Sequence, residues 1–290
     1  MRALDRQHGF TLVEMIMVIV ITGIIGSMVA VFLKAPIQQY MDVARRASLT
    51  DVADSAILRM ARDVRTAVPN SVRVSCGGNP TCVEFLPTRD GGRYRAAQDC
   101  STGTCTGDVL NFGVADGTFD IIGSANFAAN DYIVVGSTQS DGNPPYDTSS
   151  SGILRPYTGP AGTAITSVTF TNPTPGLPTW AALPSQRFDV VDGSQRAVTY
   201  ACVGTLGTLD ANQNGQASLV RYWNYGFNFP TQVNPPTGGQ SAVLANNVSD
   251  CKIDYTVANQ RFGLLAIRLT LTSGGESVSL YNEIHVNNAP

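Results

Sequence analysis

Between Phe10 and Leu33 the chain reads FTLVEMIMVIVITGIIGSMVAVFL, 24 residues in which Glu14 is the only charge. As a helix rising about 1.5 Å per residue this run is about 36 Å long, enough to cross a hydrocarbon core of about 30 Å. No later segment of the 290 residues has an apolar run of that length, so a single crossing is expected, followed by one large extramembrane portion. Charge does not settle the orientation: Arg2 and Arg6 precede the run, and Lys34, Arg45 and Arg46 follow it closely. Cysteine usage is more informative. Cys76, Cys82, Cys100, Cys105, Cys202 and Cys251 all follow the apolar run, an even number suited to an oxidising compartment. Pairs Cys76–Cys82, Cys100–Cys105 and Cys202–Cys251 are expected, one of about fifteen possible connectivities.

Beyond Pro36, which is expected to mark a kink or an unwound turn, the pattern becomes amphipathic. Leu49, Val52, Ala53, Ala56, Ile57, Met60, Val64 and Ala67 recur at spacings of three and four. Asp42 with Arg46, and Arg59 with Asp63, are spaced for helical charge pairs. Pro69 stops the helix near Ala67. A helix of some 55 residues is therefore expected, roughly Phe10 to Ala67, with an apolar stripe on its second half that needs a cover.

The rest of the chain supplies that cover. Short β-type runs alternate with Gly, Pro, Asn and Asp clusters: Val72–Ser75, Cys82–Leu86, Val109–Val114, Tyr132–Val135, Ile165–Thr171, Arg187–Val191, Ala197–Val203, Ser218–Tyr225, Lys252–Val257, Leu264–Thr272 and Ser277–Val286. In the run from Leu264, the residues Leu265, Ile267, Leu269 and Leu271 form the face expected to be buried. Ser273-Gly274-Gly275-Glu276 then turns into a final strand. Long loops are expected at about 136–160 and 172–184. The fold class is α+β: a long helix, transmembrane and then amphipathic, packed on an antiparallel sheet. The expected domains are a leader at 1–9, the membrane helix at 10–33, its amphipathic continuation at 34–67 and a β-rich head at 68–290.

Composition excludes some functions. Only 14% of residues are charged, against about 25% in an average soluble domain. The head from Val68 carries 11 basic and 16 acidic residues, a net of −5, and without a Lys/Arg cluster it has no footprint for nucleic acid. The chain holds no G-x-S-x-G elbow, phosphate loop or zinc motif. His285 is the only histidine outside the leader, so no enzyme activity is expected.

The polar stretch ending at Gly9, followed by Phe10-Thr11-Leu12-Val13-Glu14, resembles the prepilin motif of type IV pilins and type II secretion pseudopilins. The resemblance implies that a prepilin peptidase cuts after Gly9 and that the new amine of Phe10 is methylated. It also implies an inner-membrane subunit with a periplasmic head, held in lipid until an assembly platform and other pilins take its N-terminal helix into a filament. The position of Glu14 has a physical rationale. An acid within an apolar helix is costly, roughly 2.5 to 3.5 kcal/mol for Asp on an insertion scale, and the amine freed at Phe10 lies one helical turn away. Gly23, Gly26, Ser27 and Ala30 provide small-residue spacings suited to close helix approach.

Three further stretches resemble the larger minor pilins and J-type pseudopilins, most closely the MshO-type minor pilins of MSHA pili: Arg62–Arg73, Val198–Cys202 with Leu219–Tyr222, and Tyr281–Pro290. Tip-most K-type pseudopilins typically lack the acid at this position, so Glu14 argues against that role. The expected function is thus a minor pilin, with a J-like pseudopilin and a pilus-associated adhesin as the alternatives.

Two binding motifs remain. Asp210, Asn212 and Asn214 before Gly215 resemble the first half of a calcium loop, but its twelfth position is Arg221 instead of a glutamate, which contradicts an EF-hand. No other metal or cofactor is expected. Trp223, Tyr225, Phe227 and Phe229 alternate along the chain, as either the buried face of a strand or a platform for stacking a glycan.

Overall fold

The computed structural model describes residues 10–74, 81–101, 103–137, 145–255 and 263–286. It contains one long helix and an antiparallel β-rich domain, an α+β pilin-like architecture. The helix α1 spans Leu12–Arg65, 54 residues, and its helical backbone continues through Pro36 without the expected unwound turn. The chain divides into two compact units, Met1–Ser48 and Leu49–Pro290.

In the first unit α1 is exposed along its apolar run, from Leu12 to Leu33 and on to Val43. One window of this helix has a mean hydropathy of 2.7, enough by length and composition to cross a membrane. Its hydroxyls are satisfied within the helix: Thr22 Oγ1 donates to the Val18 carbonyl (2.6 Å) and Ser27 Oγ to that of Ile24 (2.8 Å). Asp42 pairs with Arg45, at 3.6 Å.

In the second unit the end of α1 buries Leu49, Ala53, Ala56, Ile57, Met60, Ala61 and Val64, the three-and-four stripe of the sequence. These residues lie on a six-stranded sheet. Its strands, numbered in chain order, are β1 Cys82–Phe85, β8 Val198–Leu209, β9 Gly215–Trp223, β10 Gln240–Asp254, β11 Leu264–Ser273 and β12 Glu276–His285, and they are adjacent in that order. Leu265, Ile267, Leu269 and Leu271 share a core with the helix stripe, Phe85, Tyr200 and Ile253. Period-two alternation thus assigns the buried face of β11 correctly.

Adjacent strands β1 and β8 are separated in sequence by a second β-structure. Strands β2 Thr88–Arg93, β7 Arg187–Val191, β4 Tyr132–Val135 and β5 Leu154–Pro156 form one sheet, and β3 Thr118–Phe127 pairs with β6 Gly162–Thr169. Bridges Tyr94↔Ile121 and Tyr157↔Phe170 join the two pieces into a closed antiparallel ring. Every strand of the ring, or the residue directly after it, sends side chains inward. Tyr94, Phe119, Ile121, Phe127, Ile133, Tyr157, Phe170 and Phe188 fill it, with edge-to-face contacts such as Phe119–Phe188 at 5.3 Å.

Some sequence expectations are corrected. Val109–Val114 is not a strand; Asp116 Oδ2 accepts from the Asn111 amide and side chain, both at 2.9 Å, and closes a turn there. The supposed loop 136–160 contains β5. Asp63 pairs not with Arg59, as expected, but with Arg221 of β9, at 3.0 Å, among the described residues. Two disulfides link Cys100 to Cys105 and Cys202 to Cys251. Cys82 is disulfide-bonded, and Cys76, its expected partner, lies outside the described residues.

Candidate functional site

Gly9 lies outside the described residues, so the junction is built from Phe10 onward. Phe10 and Thr11 precede α1, and Phe10 is 83% exposed. Thr11 is the helix N-cap. Its carbonyl accepts the first helical bond from the Met15 amide (3.2 Å) and its Oγ1 accepts from the Glu14 amide (3.3 Å). Glu14 Oε2 in turn accepts from the Thr11 amide (3.4 Å). This reciprocal pair is a capping box. Thr11-x-x-Glu14 ahead of an apolar run is the sequence signature of that motif, a signal the Phe10–Glu14 reading passes over.

The box changes the account of Glu14. Its carboxylate is held over the first turn, where the partial positive charge of the helix start favours it. Oε1 accepts no hydrogen bond among the described residues, which leaves it for a second donor. The backbone amine released by a cut before Phe10 would be such a donor, in the same subunit or a neighbour. Further along, an added Cβ at Gly23 or Gly26 would meet nothing within 4 Å, so both positions present open backbone.

The remaining site candidates are placed as follows. Asp210 lies at the β8–β9 turn. Its Oδ1 accepts from the amides of Asn212 and Asn214, each at 2.8 Å, and Oδ2 from the Asn214 side chain at 3.2 Å. The bonds from Asn214, with that from Asn212, hold its carboxyl below the usual range. Asn214 Oδ1 accepts from the Gly274 amide at 2.9 Å, tying this turn to the β11–β12 turn. The three residues thus close a hairpin tip.

The aromatic row is not one strand face. Strand β9 ends at Trp223, because Asn224 (φ 58°) and Gly226 (φ 96°) are left-handed. Trp223 faces the Arg221 guanidinium at 5.0 Å, and the Tyr225 hydroxyl donates to Glu84 Oε1 at 3.0 Å. Phe227 meets Tyr132 edge-on at 4.8 Å, while Phe229 is 39% exposed. Three of the rings therefore have separate partners, and the row does not form one contiguous platform.

Tyr225 belongs to a polar cluster that the sequence alone does not reveal. Glu84 of β1 is fully buried; Arg73 Nε donates to its Oε2 at 2.8 Å, and the same guanidinium donates to the Asn228 carbonyl at 2.6 Å. Burial pushes the Glu84 carboxyl up, against the opposing pull of Arg73 and Tyr225. The cluster anchors segment 225–230 to the sheet.

A family model for the prokaryotic N-terminal methylation motif matches residues 4–30. No curated protein and no solved structure matches the chain. Together with the long apolar helix and β-rich head, the motif supports a type IV pilin-like protein, a pilin or pseudopilin, with processing by a prepilin peptidase and assembly with other pilins.

Proposed function

We propose that the chain is a minor pilin of an MSHA-like type IV pilus. In this reading the peptidase cuts between Gly9 and Phe10, Phe10 is N-methylated, and the subunit stays in the inner membrane with residues 68–290 in the periplasm until the assembly platform extracts it. Its task is structural, contributing packing surfaces to the start or body of a filament without catalysis or cofactor. The observation that carries the reading is the Thr11–Glu14 box directly after the cleavage position, which presents a carboxylate with a free oxygen at the filament end of the helix.

The same box would serve a J-like pseudopilin of a type II secretion system, where a short filament pushes substrates through an outer-membrane pore. Deletion of the gene in its host separates the two. Loss of surface pili with secretion intact supports the pilin reading, and loss of secretion with pili intact overturns it in favour of the pseudopilin.

A further inference from the structure

Where the ring meets the end of α1, a cavity of about 320 Å³ is lined by Arg65, Thr88, Ser137, Arg187 and Asp189 among others. A second, of about 560 Å³, shares Arg187 and Asp189 and adds Gly91 and Arg93. The β2–β7 register sets Arg93 directly opposite Arg187 and Gly91 opposite Asp189. Like charges facing across a ladder are destabilising, so this pair breaks a local rule of sheet construction.

Arg93 Nε donates to the Ser185 carbonyl at 3.1 Å, but no ion pair among the described residues neutralises either guanidinium. Arg73, Arg89, Arg95, Arg221 and Arg268 each form a salt bridge with an acid, whereas Arg65, Arg93 and Arg187 form none among the described residues. Three guanidiniums thus line adjoining cavities in a head whose net charge is negative. An anion bridging Arg93 and Arg187 would relieve their repulsion and use their planar donors.

The floor narrows the chemistry. Asp189 Oδ2 accepts from Ser137 Oγ at 3.2 Å. Nothing from β2 covers this carboxyl, because Gly91 has no side chain; a Cβ there would lie 3.4 Å from Asp189 Oδ1 and 3.0 Å from the Phe188 carbonyl. Burial raises the proton affinity of Asp189, against the pull of Ser137 and Arg187. A bare inorganic anion would be repelled by this carboxyl, while a ligand hydroxyl would hydrogen-bond to it. The occupant must therefore carry both a negative charge and hydroxyl groups.

We infer that this groove binds an acidic sugar of a glycan chain, its carboxylate on Arg93 and Arg187 and a hydroxyl on Asp189. The inference does not depend on whether the filament is a pilus or a pseudopilus.

Calorimetric titration of the full-length protein in detergent micelles tests it, with short oligogalacturonate and oligosialate as probes and a neutral galactose oligomer and inorganic sulfate as comparisons. At least one acidic oligomer is expected to bind, with the neutral oligomer and sulfate at least about tenfold weaker. Arg93→Ala and Arg187→Ala are each expected to weaken that binding about tenfold. Both variants should remain folded with melting temperatures little changed, because each substitution removes one member of a repelling pair while giving up the Arg93 bond to the Ser185 carbonyl or the Arg187 attraction to Asp189. Failure of both acidic oligomers to bind, sulfate binding as tight as the sugar, or wild-type affinity in both variants would overturn the assignment.

Discussion

Arg221 on β9 donates through Nε to Asp63 Oδ2 near the end of α1, at 3.0 Å, and the Tyr200 hydroxyl of β8 donates to the same oxygen at 2.6 Å. One carboxylate therefore ties the helix to two neighbouring strands. Arg221 is 9% exposed on its side chain, so removing Asp63 leaves a largely buried cation without its acid. Asp63→Ala is expected to lower the stability of the head by about 2 kcal/mol, less than for a fully buried pair because Asp63 keeps some water contact. Urea denaturation followed by circular dichroism measures this, and a shift below a few tenths of a kcal/mol would assign the attachment to apolar packing alone.

Neighbouring positions on α1 should differ sharply. Ile57 is 2% exposed in the core shared with the sheet, while Leu58 is 49% exposed. Ile57→Ala is expected to cost about 3 kcal/mol and Leu58→Ala under about 1 kcal/mol. The same denaturation assay compares the two, and equal losses would contradict the assigned helix face.

The buried Glu84 imposes a pH dependence. Its folded-state pKa is raised above the ordinary 4.5 by burial, so folding binds a proton there. Its contribution is fully present below 4.5 and is lost as pH rises through the folded value. Glu84→Gln removes that titration. The stability of the variant relative to wild type should therefore increase as pH rises above 4.5. Denaturation curves that stay parallel across this range would refute the assignment.

The two described disulfides close loops of unlike length, with sequence separations of 5 for Cys100–Cys105 and 49 for Cys202–Cys251. On the chain-entropy model, replacing the longer pair by serines costs about 4 kcal/mol and the shorter about 2 kcal/mol. Calorimetric melting of the two double variants should rank them in that order, and the reverse order would show that local strain outweighs loop entropy.

Legibility in the sequence followed the physics of each segment. The bounds Tyr132–Val135 and Arg187–Val191 could be read directly, the first as a short apolar run and the second from Phe188, Val190 and Val191 set between turn residues. Strand β2 was hidden by Asp90-Gly91-Gly92, a turn-like cluster that serves here to keep side chains off Asp189. The first half of β10, from Gln240, is exposed and so carries no alternation to detect. Pairing of Phe85 with Val198 across the inserted ring is a long-range contact that no local pattern encodes. At the N-terminal site, Phe10 and Glu14 stand out in sequence, whereas the role of Thr11 emerges from its two bonds to Glu14.

Assembly as a pilin requires, before anything else, the cut between Gly9 and Phe10. Co-expression of the full chain with a prepilin peptidase, followed by intact mass and N-terminal sequencing, measures it. The expected product begins at Phe10, lacks residues 1–9 and carries one added methyl group on its amine. A chain that keeps residues 1–9 in the presence of an active peptidase, one that processes a control prepilin in the same cells, would contradict the account.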